Sequence, residues 1–490
     1  MRALAVTCVA RFAVTLETVV AFAAILALSA CSFAPQYARP AIDTPKAYQY
    51  EPADAVTGSD VEWWKAFGDP ALDALVDEAL MHNGNIEVAI ANLEQAAAVF
   101  TQARSALFPQ VGYGASAART RSTEPDNARL AALVPNPQSA YQAALSASWE
   151  IDLWGRIRNQ SAAARANVLA SEDARRAVVM SIVASVVTDY LQLRGFDEQL
   201  AIAKKTRDVY AESVRLFELK FKYGQVSQMN VAQAQSQYES AAAQIPQIES
   251  QIAQLQDALS ILAGRNPGPI ARGKPLDELV QPPVPAGLPS SLLERRPDLR
   301  QSEQALIGAN AQIGAAKALY FPTISLTAAL GTASSDLSNL FTGPARIWSY
   351  AGQVTGPIFT FGAVAGQVAQ AEAAQHAALA NYRLAIRNAF GDVDNALVAN
   401  QKLREQLDAQ TKLVASLEDY ERLARLQYDG GYAPYSTVLQ AEQSLFPAEL
   451  GLASMRASLL ASAANIYKAM GGGWVDAAAG VAADGREGRR

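Results

Sequence analysis

The sequence predicts a mostly α-helical chain with four β-strands, built from two copies of one half-domain. Residues from about 82 to 264 are echoed, about 207 positions later, by residues from about 295 to 471. Three glycine pairs mark the correspondence: Gly155 with Gly362, Gly224 with Gly431, and Gly264 with Gly471. A period this long exceeds any solenoid repeat and therefore indicates a duplicated half-domain.

The N-terminal 30 residues have the pattern of a secretory signal peptide. Arg2 and Arg11 precede an apolar stretch that ends Leu-Ser-Ala-Cys, with Cys31 as its last residue. This ending resembles a bacterial lipobox, in which cleavage leaves the cysteine thiol free for acylation, and Ser32 resembles the sorting pattern for the outer membrane. An ordinary signal or a short anchor helix is the alternative. The expected prosthetic group is one covalent lipid on Cys31, with no other cofactor and no metal.

Composition argues against an enzyme and against a nucleic-acid partner. The chain has a net charge of −6, two cysteines and two histidines. Of the cysteines, Cys8 leaves with the signal, so the mature chain has no disulfide and no thiol nucleophile. His82 and His376 are too few for a histidine metal site, and no Gly-rich phosphate loop or G-x-S-x-G motif is present.

Long helices are predicted in both halves. Apolar residues at spacings of 4, 3, 4 and 3 run through the segment of about 159–222 as Val179, Val183, Val186, Tyr190 and Leu193, which is typical of heptad seams. Shorter helices are predicted at about 71–107, 228–263, 297–319 and 436–469. The apolar heptad seams favour a hollow cylinder of paired helices, although the core of a solid helical bundle would produce the same seams.

The strands show an alternating pattern. In the segment of about 145–153, Leu145, Ala147, Trp149 and Ile151 lie on one face, and Ser146, Ser148, Glu150 and Asp152 lie on the other. Similar segments cover about 110–122, 322–333 and 346–361. One face is apolar and the other polar, so we predict membrane strands whose polar face lines a lumen. Half-buried strands of a soluble sheet are the alternative.

Aromatic residues gather near the strand ends, as an interfacial girdle requires: Phe108, Trp149, Trp154, Tyr320, Phe321, Phe359 and Phe361. Four strands cannot close a barrel, and unpaired strand edges are not tolerated in lipid. Two chains would supply eight strands, whereas three would supply twelve and leave room for an aqueous pore. A homotrimer in contact with membrane lipid is therefore predicted.

The predicted organisation follows the repeat. It consists of a signal peptide (1–30), an acylated extension (31–70), a first repeat (71–264, strand pair 109–154), a Pro-rich crossover (265–296), a second repeat (297–470, strand pair 321–361) and a flexible tail (471–490).

Several motifs resemble the TolC-type outer membrane factors, specifically the lipoprotein branch that includes NodT-like and RND-efflux exit ducts. They are the lipobox followed by Ala34-Pro-Gln-Tyr-Ala-Arg-Pro40, Trp63-Trp-Lys-Ala-Phe-Gly-Asp-Pro70, the run Leu288-Pro-Ser-Ser-Leu-Leu-Glu-Arg-Arg-Pro-Asp-Leu-Arg300, and Ala318-Leu-Tyr-Phe-Pro322. The resemblance covers residues 31–474 and implies a homotrimer in the outer membrane of a Gram-negative bacterium. A twelve-stranded barrel would continue into a periplasmic α-helical tunnel, closed at its tip until a periplasmic adaptor and an inner-membrane pump dock.

Residues at the hairpin turns receive their roles from the same resemblance. Tyr223, Gly224, Gln225, Tyr428, Gly430 and Gly431 match the tips that meet the adaptor. Many relatives carry aspartates just beyond the second turn, but this chain has no charge between Gly430 and Ala441. Asp429 and Glu442 flank the uncharged run, and a partial acidic ring formed by these two residues is the alternative. We therefore predict an apolar and amide-lined gate that closes by dewetting and packing, formed by Asn230, Tyr432, Ala433, Pro434, Thr437 and Gln440.

The expected function is that of a passive outer membrane exit duct for small molecules such as drugs or toxic compounds. The same fold could instead serve type I protein secretion or metal export, because the pump chooses the cargo. A non-conducting coiled-coil lipoprotein would explain the heptads and the lipid but not the duplicated strand pairs.

Overall fold

The computed structural model describes residues 33–52, 55, 62–121, 123, 136–287 and 289–472. The signal peptide, Cys31 and the chain from residue 473 lie outside the described residues. The chain forms two compact units. The strand unit draws on the chain up to Pro40, on Glu94–Ala170 and on Glu303–Asn381, and the hairpin unit on Ala41–Leu93, Ser171–Ser302 and the chain from Tyr382.

Helices make up most of the chain. They are α1 (Pro70–His82), α2 (Gly84–Ser105), α3 (Arg156–Lys222), α4 (Gln228–Leu262), α5 (Leu292–Arg295), α6 (Pro297–Lys317), α7 (Ala363–Asp429) and α8 (Tyr435–Ala469). The strands are β1 (Gln110–Thr120), β2 (Gln138–Ile151), β3 (Thr323–Ser334) and β4 (Arg346–Thr355).

The internal repeat is visible in the helix lengths. Helices α3 and α7 each contain 67 residues, and the helices that return after them, α4 and α8, each contain 35. Helix α7 begins and ends about 207 residues after α3, and α8 begins and ends about 207 residues after α4. This is the spacing that separates the two sequence copies. Each half therefore folds into one long and one shorter helix joined by a tight turn.

The predicted helix of about 71–107 is two helices in the structure. Asn83 separates α1 from α2 with an extended backbone, ψ 125°. Its side-chain oxygen accepts hydrogen bonds from the backbone N–H groups of Asn85 and Ile86, and its amide nitrogen donates to the carbonyl of Leu262. Asparagine is among the best N-cap residues for this reason, and the single-helix prediction was wrong at this residue.

The four strands form one antiparallel sheet in the order β1-β2-β3-β4. They contain 11, 14, 12 and 10 residues, enough to span the hydrocarbon core of a bilayer when tilted. Strand β4 ends at Thr355, six residues before the predicted end. Gly356 and Pro357 follow directly, and proline has no N–H to donate to a ladder.

The hairpin unit has a continuous apolar core. Trp63, Trp64 and Phe67 form a short 3-10 helix and are almost fully buried, and the Trp63 ring stacks on Tyr467 of α8 at 4.9 Å. Helix α3 includes a stretch with a mean hydropathy of 1.3, long and apolar enough to span a membrane, of which 56% is buried inside the protein. Its heptad residues, such as Val183 and Val186, belong to this core, so packing accounts for the stretch.

A buried arginine gives the Arg296-Pro297-Asp298 sequence a structural role. The Arg296 side chain is only 8% exposed and forms ion pairs with Asp298 and Asp392. It also donates to the backbone carbonyls of Ala389 and Ala469. These bonds join the start of α6 to α7 and α8. They also compensate the positive charge of Arg296, which would be costly to bury without partners.

Candidate functional site

The sheet has one polar face and one apolar face. Residues opposite each other on neighbouring strands lie on the same face. One such row contains Ser146, paired with Gly112 on β1 and Ala329 on β3. Further rows on this face pair Ser148 with Thr327, and Glu150 with Ser325. The small and polar character of this face agrees with a wet lumen.

The apolar rows lie on the opposite face. Leu145 pairs with Tyr113 and Leu330, and Leu330 pairs in turn with Trp348. Tyr113, Leu145, Leu330 and Trp348 are all exposed in the single chain. A contiguous exposed apolar face of this kind marks a surface for lipid or for another protein, and its tyrosine and tryptophan suit the interfaces of a bilayer.

Asp152 differs from the other residues predicted to face the lumen. It lies one residue beyond β2, and its carboxylate accepts hydrogen bonds from the backbone N–H groups of Ile157 and Arg158. It also pairs with the Arg158 side chain. A carboxylate is stabilised at a helix N-terminus by these free N–H groups, so Asp152 caps α3 and does not continue the polar face. Glu150 stays on the strand and pairs with Arg156.

The predicted girdle residues divide into two groups. Phe108, Tyr320, Phe359 and Phe361 are exposed, and Trp149 is partly exposed with its indole N–H donating to the carbonyl of Leu107. Trp154 and Phe321 are half-buried and stack on each other at 4.8 Å. Phe33, from the extension just after Cys31, stacks on Phe321 at 4.6 Å and thus continues this cluster.

The two hairpin turns share one hydrogen-bond pattern. At the first turn, the N–H of Gly224 donates to the carbonyl of Phe221, and that of Gln225 donates to the carbonyl of Lys220. Gly431 and Tyr432 form the equivalent pair of bonds at the second turn. This is the Schellman arrangement, in which glycine takes the left-handed conformation; φ is +71° at Gly224 and +76° at Gly431.

The tip residues expected to meet an adaptor are largely solvent-exposed. Tyr223, Gly224 and Gln225 are exposed at the first turn, and Gly430, Gly431 and Tyr432 are exposed at the second. Tyr428 is instead partly buried against a small core that joins the ends of the two hairpins. The core consists of Phe217, Ala234, Ala424, Tyr435, Val438, Leu439 and Ala441.

The predicted gate residues lie beside this core. Tyr432, Pro434 and Gln440 are exposed, and Ala433, Thr437 and Asn230 are partly exposed. Asn230 lies in the first turn of α4, and its side-chain oxygen accepts a hydrogen bond from the hydroxyl of Ser227. The exposed side of α8 near the tip is therefore uncharged, as predicted, and the lining role of these six residues stays a prediction.

Two polar links join the helices near the tip. The Lys220 ammonium of α3 donates to the Tyr428 hydroxyl of α7 at 2.8 Å and lies 5.1 Å from the centroid of the Tyr428 ring. Arg425 of α7 pairs with Glu442 of α8 at 2.8 Å. The first link joins residues 208 positions apart and the second joins residues 17 positions apart on two helices, and the periodicity of a single helix predicts neither.

Glu442 is a buried acid beside the uncharged run. Its side chain is 5% exposed, and burial raises the pKa of its carboxyl group to about 7 despite the nearby Arg425. From the sequence, Glu442 is predicted only to flank the uncharged run. The available sequence signal was helical spacing, because Glu442 lies three and four residues after Leu439 and Val438 and so shares their face of α8.

A family model described as outer membrane efflux protein matches residues 75–265 and 288–472. The two matched segments cover most of each sequence repeat. Among the described residues, no group of three or more His, Cys, Asp and Glu side chains is placed to hold a metal ion.

Curated relatives match over nearly their whole length. The chain is 34% identical over 458 residues to the cation efflux system protein CusC of Escherichia coli, covering 92% of this chain and 98% of CusC. It is 37% identical over 465 residues to the solvent efflux pump outer membrane protein SrpC of Pseudomonas putida, covering 92% of this chain and 97% of SrpC.

Solved structures agree with the sequence relatives. The Campylobacter jejuni CmeC outer membrane channel has a TM-score of 0.83 at 28% identity, with 90% of this chain and 95% of CmeC covered. A crystal structure of CusC has a TM-score of 0.81 at 32% identity, with 90% and 100% covered. The predicted fold class, long paired helices with four strands of a membrane β-barrel, is confirmed. The chain belongs to the outer membrane efflux protein family.

Proposed function

We propose that this chain is the outer membrane exit duct of a tripartite efflux system and that it conducts small molecules passively as a homotrimer. One observation carries the proposal: the sheet presents an exposed apolar face and a small, polar opposite face on only four strands. Such a sheet has two edges that lipid does not tolerate. Three copies would remove the edges and supply a twelve-stranded barrel with an aqueous lumen.

The hairpin tips support a gated connection to partners. Each tip presents exposed residues at a Schellman turn, and the Lys220–Tyr428 bond together with the small core holds the two hairpins to each other. A periplasmic adaptor that docks on Tyr223, Gln225 and Tyr432 would compete with this packing and open the tip. The inner-membrane pump, of RND type, would supply the energy, since the duct makes and breaks no bond.

The gate would close by packing of uncharged groups. Thr437 and Gln440 lie on the exposed or partly exposed side of α8, and Pro434 directly precedes this helix. Ala433 and Asn230 are near the two turns. In a trimer, three copies of this uncharged surface would meet around the axis. A narrow apolar and amide constriction excludes ions by dewetting, so divalent cations should block this channel less than a channel with an acidic ring.

The cargo is proposed only as a class. The names of CusC and SrpC specify a cation and a solvent, respectively, and both share this chain's fold family. Metal export and protein secretion therefore remain alternatives, which the identity of the partner pump would decide.

The lipid anchor is a further part of the proposal. Cys31 lies outside the described residues, but the residues that follow it are fixed in the strand unit. Phe33 stacks on Phe321, the Asn310 amide donates to the carbonyl of Pro35, and Arg39 pairs with Glu303. An acyl chain on Cys31 would thus begin near the aromatic strand ends. Mass spectrometry of the wild type and of Cys31→Ser, which removes the acylated thiol, tests this anchor.

Single-channel recording tests the duct. The purified trimer should conduct rarely in a planar bilayer, and Tyr428→Ala should conduct more often, because it removes the Lys220 bond and part of the tip core. Tyr238→Ala, on α4 away from the turns, serves as a control. If an inserted trimer conducts in neither the wild type nor the Tyr428 variant, the duct is refuted and a structural lipoprotein becomes the better explanation.

A further inference from the structure

The strongest unexplained feature is a charge cluster near the second hairpin tip that contains one buried carboxylate. Arg425 of α7 is shared by two carboxylates, Glu421 on its own helix at 2.7 Å and Glu442 on α8 at 2.8 Å. One cation therefore faces two acids. The Glu421 side chain is 22% exposed, whereas that of Glu442 is 5% exposed, so water can stabilise the charge of Glu421 but hardly that of Glu442.

The second carboxylate oxygen of Glu442 is poorly accommodated. Its Oε1 accepts from Arg425, but its Oε2 is buried without a hydrogen-bond donor among the described residues. The other titratable neighbours are Tyr210 on α3 and Tyr435 on α8. Neither is a cation, so Arg425 alone compensates the carboxylate. A buried ionised oxygen without a donor is costly. One proton on Glu442 would leave the cation of Arg425 facing a single ionised carboxylate, that of Glu421, and the cluster would have no net charge.

Water has a route to this cluster through its cation. The Arg425 side chain is 46% exposed, although it contacts the buried Glu442. Proton exchange with solvent can therefore occur beside Arg425 without separation of the hairpins.

We propose that Glu442 is a proton-operated latch, whose neutral form favours the closed packing of the second hairpin and whose ionised form loosens it. The proposal rests on the proposed function, in which this packing closes the duct. Opening of the tip would expose Glu442 to water, where its carboxyl would ionise readily. The closed state therefore binds the proton more tightly than the open state.

The direction of the pH effect follows from this difference. Burial raises the pKa of Glu442 to about 7 in the closed packing, above its ordinary value in water. Stability that depends on the bound proton is fully present at acidic pH and is lost as pH rises through the raised pKa. Acid should therefore hold the tip closed, and a neutral to alkaline medium should favour opening.

The test measures open probability of the wild-type trimer in a planar bilayer from about pH 5.5 to about pH 8.5. We expect a rise on the order of tenfold. Glu442→Gln keeps the size of the side chain and cannot ionise, so it should stay mostly closed with little pH dependence. Glu418→Gln, at an exposed position of α7, should follow the wild type. If the open probability of Glu442→Gln depends on pH in the same way as that of the wild type, the latch proposal is refuted.

A second measurement separates the latch from the duct itself. Hydrogen exchange of the α8 tip backbone, corrected for the intrinsic pH effect, should accelerate with pH in the wild type and not in Glu442→Gln. If Tyr428→Ala conducts but neither readout depends on Glu442, the latch fails and the duct stands. If no variant conducts at any pH, the duct fails, and the exchange data still decide whether Glu442 controls the packing.

Discussion

Lys220 and Tyr428 lie in the last turns of the two long helices, and a 2.8 Å hydrogen bond joins the ammonium group of Lys220 to the phenol oxygen of Tyr428. The same ammonium lies 5.7 Å from the ring centroid of Phe217. The Lys220 side chain thus links the first hairpin to the second through a hydrogen bond and through cation–π contacts with the rings of Phe217 and Tyr428. Since the residues come from different sequence repeats, the contact can respond to a movement of either hairpin.

Removal of the phenol oxygen should weaken the closed tip. Tyr428→Phe retains the ring and loses the bond from Lys220, which typically contributes about 1 kcal/mol. Open probability in single-channel recordings should rise roughly fivefold, as this free energy implies. Tyr223→Phe alters an exposed tyrosine of the first turn and should leave the probability unchanged. An equal rise in both variants would show that the Lys220 bond is not what holds the tip.

The turn glycines should tolerate alanine poorly although space is available. A Cβ atom at Gly224 or Gly431 would meet no atom within 4 Å, so the cost comes only from the positive φ. That conformation costs a residue with a side chain about 1 kcal/mol. Each alanine variant should lower the midpoint of denaturant unfolding, followed by circular dichroism. Gly366 of α7 also has open space around its Cβ position but lies in a helix, so Gly366→Ala should raise the unfolding midpoint slightly. A lower midpoint for Gly366→Ala would contradict this explanation.

The repeat, the hairpins and the alternating strands were predictable because their causes are local. A left-handed turn requires glycine, a heptad stripe appears within a few turns of helix, and alternation appears within one strand. Gly224 and Gly431 therefore identified the hairpin ends from sequence alone. The periodicity of β2 likewise identified Ser146 and Leu145 as residues of opposite faces, and the sheet register agrees.

The features that were missed depend on contacts with another element of the fold, which periodicity within one element does not show. Phe33 lies in a segment without periodicity, so nothing local indicated its stacking on Phe321. Asp152 followed the polar alternation, but its carboxylate is captured by the first turn of the next helix. The sequence placed Glu442 beside the uncharged run as a flanking charge, and the packing of α8 against α7 shows that it is buried beside Arg425.

A buried tyrosine in the hairpin unit should be important for stability. The Tyr190 hydroxyl donates to Asp69 at 2.7 Å and accepts from the backbone N–H of Gly273 at 2.9 Å. Both Tyr190 and Asp69 are fully buried. Tyr190→Phe would leave a buried carboxylate oxygen and a backbone N–H without this partner, at a cost of about 2 kcal/mol.

Chemical denaturation measures this loss as a lower unfolding midpoint. Tyr420→Phe, at an exposed position of α7, is the matched control and should change little. Gly273→Ala should be more damaging than Tyr190→Phe, because its Cβ would overlap the Asp69 carboxylate. Equal midpoints for Tyr190→Phe and the wild type would contradict the importance of this network.

Neighbouring residues of β3 should respond oppositely to a charge. Leu330 lies in the apolar row with Leu145 and Trp348, whereas Ala329 lies in the row with Ser146. An arginine at a lipid-facing site near the bilayer centre costs about 2–4 kcal/mol, but one that faces an aqueous lumen does not. Leu330→Arg should therefore reduce the amount of assembled trimer in outer membranes, and Ala329→Arg should preserve it.

Ala329→Arg also gives an independent measure of the lumen. A trimer would place three added positive charges along its pore, so anions should become more permeant relative to cations in reversal-potential measurements. Loss of assembly from Ala329→Arg with retention in Leu330→Arg would invert the assignment of the two faces. Equal tolerance of both substitutions would indicate that neither face meets lipid, because a hydrocarbon environment cannot accept an unpaired guanidinium group without cost.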